Sequence, residues 1–207
     1  MQSDTFYNCL AAPAQTELKE KSSRFIARAA PADTVEKAEA FIADLQKQHY
    51  DATHNCYAYL IGLGPDAVFR FNDDGEPSGT AGKPILQAIE GRELTDTVVV
   101  VTRYFGGVKL GTGGLIRAYG GAAAEVLDAA TVKKIYVTRP VFLECPYAAI
   151  GKIENCLEKT KGKIIQAEYG EHVQLMVELR EHRVDAFVKK IIEITAGTVV
   201  PKLLEKV

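Results

Sequence analysis

The residues best suited to chemistry lie in two glycine-rich segments, residues 73–84 and 102–119, and the first of these carries a cluster of acids. Asp73, Asp74 and Glu76 place three carboxylates within four positions. Carboxylate oxygens are the ligands that hard cations such as Mg²⁺ take in proteins, so this trio is a candidate magnesium site. The same residues also form turns on solvated loops, and the pattern alone does not separate the two interpretations. His54, which precedes a predicted strand, is either a further ligand or a structural histidine.

The first segment also contains a Gly82-Lys83 pair, which suggests a phosphate-binding loop. A Walker A motif requires a glycine five residues before that pair, and Pro77 stands there. It also requires serine or threonine after the lysine, and Pro84 stands there instead. The segment is therefore not a nucleotide-binding P-loop.

The second segment follows a predicted buried strand and leads into a predicted helix. Its glycines allow close approach of the backbone to a ligand, and a helix N-terminus presents free N–H groups to an anion. Three cations, Arg103, Lys109 and Arg117, occur there without an intervening acid. Arg117 is expected in the first helical turn, where a cation opposes the helix dipole, so it should serve an anion or a carboxylate such as Asp73. The alternative is that the glycines only permit tight helix packing; they are Gly106, Gly107, Gly111, Gly113 and Gly114.

Hydrophobic periodicity predicts the elements that position these segments in a mixed α+β domain, residues 1–136. Strands are expected at residues 15–20, 24–30, 55–61, 67–71 and 97–105. Residues 98–101 form a continuous apolar run, which is typical of a strand buried on both faces. A helix should begin after Asp33 as N-cap, with Glu36 completing a capping box. A short helix is expected from Pro84 and a long one up to Ala130.

The remaining residues, 137–207, have the order strand, helix, two strands, helix, strand. Strands are expected at 137–145, 164–169, 173–179 and 198–204. This βαββαβ order is typical of a ferredoxin-like domain, with both helices on one face of the sheet. The other face should be open and carry alternate side chains of the third strand, namely Gln174, Met176, Glu178 and Arg180.

Composition excludes several classes of protein. The 207-residue chain has 25 Lys+Arg, 27 Asp+Glu and a net charge of −2, so it is not a polycation that binds nucleic acid by bulk charge. It has no apolar run near the ~20 residues that span a bilayer and no signal peptide pattern, so we expect a soluble, cytoplasmic protein without membrane partners. The four cysteines form no C-x-x-C pair and are expected to be reduced, buried thiols.

Both glycine-rich segments closely resemble the hallmark segments of the IMPACT (imprinted ancient) family. The resemblance is carried by residues 73–82 (DDGEPSGTAG), 100–107 (VVTRYFGG), 110–115 (LGTGGL) with 117–119 (RAY), and 53–59 (THNCYAY). It implies an N-terminal domain of the ribosomal-protein/RNase-PH-like superfamily. The C-terminal unit resembles the appendage of bacterial members, which is similar to a terminal domain of elongation factor G. The family also implies a regulator of translation rather than a known enzyme. Its eukaryotic members are regarded as restraining a kinase of the stress response to amino-acid starvation through a protein partner, and that partner role does not transfer to this chain.

We therefore expect a non-enzymatic binding protein that contacts RNA, the ribosome or a translation factor, and that needs no cofactor. The two segments would form one groove in which Lys83, Arg103, Lys109 and Arg117 meet phosphates beside the glycines of the second segment. The first alternative is a Mg²⁺-dependent phosphoryl-transfer or hydrolytic enzyme using the three carboxylates. The second is a protein–protein interaction module that uses the C-terminal sheet. The family-motif residues of the first loop are His54, Asp73, Asp74, Gly75, Glu76, Pro77, Ser78, Gly79 and Thr80.

Overall fold

The computed structural model describes residues 5–204 and has a mixed α+β architecture. Its contacts divide it into two compact units, one formed by Tyr7–Ile135 and the other by residues 5–6 with 136–204. The division thus follows Ile135, and Thr5 joins the second unit, where its carbonyl accepts a hydrogen bond from the Val137 N–H. No helix of the described residues is long and apolar enough to cross a membrane.

Within the described residues, the first unit contains seven strands, three α-helices and one short 3₁₀ helix, Gly64–Asp66. In chain order the strands and α-helices are β1 (Phe6–Leu10), β2 (Ala14–Glu20), β3 (Ser23–Pro31), α1 (Val35–Gln48), β4 (His54–Ile61), β5 (Val68–Asn72), α2 (Gly82–Glu90), β6 (Thr97–Tyr104), α3 (Thr112–Ala129) and β7 (Val132–Tyr136). β1 and β7 form a separate two-stranded ribbon and extend one residue beyond the unit.

The other five strands form an antiparallel sheet in the order β2-β3-β6-β4-β5. β6 lies at its centre, and its residues 98–101 are fully buried, which confirms the prediction of a strand covered on both faces. One face packs against α2 and α3, with Val99 and Val101 in that core. The other face packs against α1, with Val98 and Val100 in that core.

Three helix starts differ from the predictions. α1 is capped by Thr34 rather than Asp33, because the Thr34 hydroxyl accepts a hydrogen bond from the Lys37 N–H at 3.3 Å. α2 begins at Gly82, two residues before Pro84. α3 begins at Thr112, after Gly111 turns the chain with φ +73°, so Arg117 lies in the second turn and not in the first.

The second unit contains β8 (Thr138–Cys145), α4 (Ile150–Thr160), β9 (Lys163–Tyr169), β10 (Val173–Arg180), α5 (Val184–Ile194) and β11 (Lys202–Leu203). Its antiparallel sheet has the order β11-β8-β10-β9, and the predicted βαββαβ order is confirmed. The buried sides of both helices share one core with alternate residues of β8 and β10. The last strand is shorter than the predicted 198–204. All four cysteines of the chain are free and buried, as predicted.

Candidate functional site

The Asp73 carboxylate in the first glycine-rich loop binds backbone N–H groups at the start of α2. Its carboxylate accepts hydrogen bonds from the N–H groups of Gly79 at 2.8 Å, and of Ala81 and Gly82 at 2.9 Å each. Free N–H groups at a helix N-terminus favour a negative charge, which explains why α2 begins at Gly82. Burial alone would raise the pKa of the Asp73 carboxyl group, but the three N–H donors outweigh it and hold the pKa below its ordinary value.

We expect Asp73→Asn to lower the free energy of unfolding at neutral pH. We also expect the variant to lose less stability than the wild type when the pH is lowered. The pKa of Asp73 is lower in the folded than in the unfolded chain. The ionised carboxylate therefore stabilises the fold at pH values above the ordinary aspartate pKa of 3.8, and this stabilisation is lost as the pH falls below 3.8 toward the pKa of the folded chain. Urea unfolding at pH 7 and pH 3 measures both effects. The control is Asp66→Asn, which changes an exposed carboxylate that makes no hydrogen bond within residues 5–204. Parallel pH dependence of Asp73→Asn and wild type would contradict the prediction.

Asp74 and His54 close the loop onto the first residues of β4. The Asp74 carboxylate accepts a hydrogen bond from the Asn55 N–H at 2.6 Å. The His54 Nδ1 atom donates to the Asp74 carbonyl oxygen at 2.7 Å, and the Cys56 thiol donates to the Asp73 carbonyl at 3.0 Å. These contacts hold residues 73–74 against the end of the sheet.

Glu76 is the centre of a buried polar network. Its Oε1 atom accepts hydrogen bonds from the Arg103 guanidinium at 2.5 Å and from the Tyr119 hydroxyl at 2.7 Å. The side chains of Glu76 and Arg103 are 4% and 6% exposed, so this is a buried ion pair. His54 Nε2 lies 3.8 Å from the same carboxylate oxygen. The first loop, β6 and α3 are therefore joined through one carboxylate.

The three carboxylates do not converge on a common ligand position. Each uses different protein donors: backbone N–H groups for Asp73 and Asp74, and side chains for Glu76. Among residues 5–204, no group of three or more His, Cys, Asp or Glu side chains is placed to hold a metal ion. Asp73 is also not paired with Arg117, which has no ion-pair partner in the described part of the chain. The three acids instead attach the first loop to α2, β4, β6 and α3.

Glycines of the second loop have packing and turn roles of their own. A Cβ atom on Gly106 would overlap the backbone of Ser22, and the Gly106 N–H bonds to the Ser23 hydroxyl at 3.2 Å. Gly107 and Gly111 have φ values of +89° and +73°, where other residues are strained. The loop is therefore seated on the turn between β2 and β3.

The cations predicted for the groove divide into one buried and three exposed residues. Arg103 is buried and paired with Glu76, so its charge is neutralised inside the protein and it does not face solvent. Lys83, Lys109 and Arg117 are exposed, and none of them forms an ion pair within residues 5–204. The loops are linked through Glu76, Arg103 and Tyr119.

One further cation beside the second loop, Lys21, was missed from the sequence. Lys21 lies in the β2–β3 turn beside Ser22, which Gly106 contacts, whereas Arg24 points to the opposite face of the sheet, where its guanidinium lies over the Tyr104 ring at 4.7 Å. Lys21 and Arg117 both line a cavity of about 240 Å³, together with Leu18, Glu20, Leu110, Gly114 and Ala118. Lys21 and Arg117 meet at this cavity only because the β2–β3 turn contacts the second loop, and no local sequence pattern predicts that long-range contact.

Comparisons with known proteins agree with this architecture. The Impact N-terminal domain matches residues 21–127, and a domain of unknown function, DUF1949, matches residues 143–198. IMPACT family member YvyE of Bacillus subtilis is 43% identical over 87% of this chain and 83% of its own length. IMPACT family member YigZ of Escherichia coli is 39% identical over 91% of this chain and 93% of its own.

A crystal structure described as that of a hypothetical protein is 36% identical, covers both chains completely and superposes with a TM-score of 0.74. Protein IMPACT of Rattus norvegicus is 30% identical over 45% of this chain and 30% of its own length. The domain match spans both glycine-rich loops, and the bacterial relatives match nearly the whole chain. This chain belongs to the IMPACT family.

Proposed function

We propose that this protein is a non-enzymatic, cytoplasmic regulator of translation that binds RNA through the surface of its second glycine-rich loop. We define this basic surface as Lys21, Lys109 and Arg117 with the exposed backbone of residues 107–113. Lys83, at the start of α2, extends the set of exposed cations. The glycines lie where the loop enters α3. Within residues 5–204 no side-chain cap bonds to the first N–H groups of this helix, so these groups can meet phosphate oxygens.

The observation that carries this proposal is that the acids of the first loop are paired inside the protein, whereas cations of the second loop are exposed and unpaired within residues 5–204. The acids of the first loop are directed into the protein, where backbone N–H groups, Arg103 and Tyr119 satisfy them. Lys109 and Arg117 instead remain exposed and unpaired within residues 5–204. A chain with net charge −2 therefore presents three exposed cations, Lys21, Lys109 and Arg117, at a surface that also includes the acid Glu20. This excess of positive charge suits a polyanion.

The likeness of the first unit to the ribosomal-protein/RNase-PH-like superfamily, and of the second to a terminal domain of elongation factor G, belongs to the same proposal. The first unit has an antiparallel sheet layered with helices, and the second has the strand order β11-β8-β10-β9. Both architectures are consistent with a protein that works beside RNA.

We expect binding of short single-stranded RNA that weakens as salt is raised, because each neutralised phosphate releases counterions. The slope of log affinity against log salt should be about −0.7 per phosphate contact. Lys109→Ala and Arg117→Ala should each make the slope shallower by about 0.7. Fluorescence anisotropy with a labelled RNA over a salt series measures this.

The control is Arg92→Ala, which removes an arginine already paired with Asp128 at 2.7 Å. This variant should keep the slope of the wild type. Absence of binding even at low salt, or an equal change of slope in Arg92→Ala, would contradict RNA binding at the basic surface.

A further inference from the structure

Phe105 is the outermost of four side chains that contact one another in series from the core outward. Tyr119 and Phe25 are fully buried and meet edge to face, with ring centroids 5.2 Å apart. The Arg103 guanidinium carbon lies over the Phe25 ring at 5.4 Å and over the Phe105 ring at 5.3 Å. The guanidinium thus contacts two phenyl rings, of which the outer one belongs to Phe105.

The buried Nε atom of Arg103 fits this arrangement. It makes no hydrogen bond within the described residues, although the guanidinium also bonds to Glu76 and contacts Ser23. An N–H group beside aromatic rings finds their electron-rich faces in place of an oxygen acceptor. Phe105 therefore covers the cation, and the cation holds the inner side of the Phe105 ring.

The backbone around Phe105 is also fixed. The Phe105 N–H bonds to the Thr53 hydroxyl at 3.0 Å, and the Gly106 N–H bonds to the Ser23 hydroxyl at 3.2 Å. Phe105 is nevertheless 46% exposed. An ordered aromatic ring that faces solvent has little conformational entropy left to lose when a flat ligand stacks on it.

Cations lie in the same loop and in the turn on which the loop is seated. Lys109 is four positions after Phe105, and Lys21 belongs to the β2–β3 turn that contacts Gly106. Aromatic rings combined with a positively charged track are the means by which proteins bind single-stranded nucleic acids, since every base has a face that can stack. A duplex offers no such face along its length, because its bases already stack on one another.

We propose that Phe105 is a stacking platform for a base of single-stranded RNA, while the neighbouring cations bind the phosphates. This inference rests on the proposed function and names its ligand class, unpaired RNA rather than duplex RNA. The buried pair of Glu76 and Arg103 acts as a positioning group, because it supports the inner side of the platform.

The test compares wild type with Phe105→Ala, Phe105→Leu and Phe105→Tyr. The probes are a short single-stranded RNA containing 2-aminopurine, the same RNA with an abasic site at that position, and its duplex. Phe105→Ala should weaken binding of the single strand roughly 5- to 150-fold, the range measured for loss of one base–aromatic stack. The salt slope should stay as in the wild type, because no phosphate contact is lost.

Phe105→Leu still covers Arg103 but lacks a ring, so it should lose affinity as alanine does. Phe105→Tyr should bind as the wild type does and should retain the change in 2-aminopurine fluorescence. The control is Phe69→Ala, which removes an exposed phenylalanine from the edge strand β5 and should leave binding unchanged.

The outcomes separate this inference from the function on which it rests. Salt-dependent RNA binding that neither Phe105→Ala nor Phe105→Leu weakens would overturn the platform and leave the proposed function standing. An equal loss for the intact and the abasic RNA would also overturn it. If wild type binds no RNA at low salt, the proposed function itself fails.

Discussion

Gly106→Ala is expected to destabilise the first unit by about 3 kcal/mol, in the upper range for overpacking of a well-packed site. The added Cβ atom would overlap the carbonyl of Ser22 and lie 2.5 Å from the Ser23 nitrogen. These are backbone atoms of a turn held by the pairing of Glu20 with Ser23, so no side chain can move aside. Relief requires separating the loop from the turn, which breaks the hydrogen bond between the Gly106 N–H and the Ser23 hydroxyl. Urea unfolding measures the change in the free energy of unfolding.

Gly121→Ala is the matched control for the same substitution. Gly121 is exposed within α3, and an added Cβ atom would meet no other atom within 4 Å. Alanine has a higher helix propensity than glycine, so this variant should gain about 1 kcal/mol. A Gly106→Ala protein as stable as wild type would show that the loop is not seated on the turn as described.

Glu76→Ala is expected to cost about 3–5 kcal/mol, because removal of one partner leaves the Arg103 charge buried without its counterion. The substitution also removes the hydrogen-bond acceptor of the buried Tyr119 hydroxyl. By contrast, Glu39→Ala breaks an ion pair with Arg70 in which both side chains are at least half exposed. That control should cost no more than about 1 kcal/mol. Thermal and urea unfolding of both variants compare the two pairs.

A second substitution distinguishes an unpaired charge from a general packing defect. Glu76→Gln keeps the shape of the side chain, and adding Arg103→Met removes the charge that would otherwise lack its partner. The double variant should recover part of the stability lost in Glu76→Gln, because an apolar side chain needs no counterion. Strictly additive losses in the double variant would mean that the ion pair is not what Glu76 contributes.

Local patterns were sufficient to predict most elements of the fold. The alternation along β10 and the apolar run in β6 depend on neighbouring residues, and both strands form where expected. The start of α2 was misplaced because its cap, Asp73, lies nine positions before Gly82. The strand 198–204 was overestimated because only Lys202 and Leu203 pair with β8.

The site was harder to predict because its interactions are long-range. Arg103 was expected to be an exposed phosphate ligand, since no acid lies near it in sequence. Its partner Glu76 is 27 positions away and meets it only when the first loop folds against β6. A role for Phe105 could not be predicted from the sequence for the same reason, because it depends on the contact between the Phe105 ring and the Arg103 guanidinium.

The strand order β2-β3-β6-β4-β5 has a consequence for how the chain acquires this surface. β2 and β3 form one hairpin and β4 and β5 another, each from consecutive strands that can pair as soon as they are synthesised. The central strand β6 comes later and joins the two hairpins through distant contacts, so we expect sheet closure to be slower than formation of either hairpin. Arg103 lies on β6 and Phe105 follows the end of that strand, so neither the ion pair nor the contact of Arg103 with the Phe105 ring forms until the two hairpins have been joined. If RNA stacks on Phe105 as proposed, its binding would therefore report completion of the sheet during refolding.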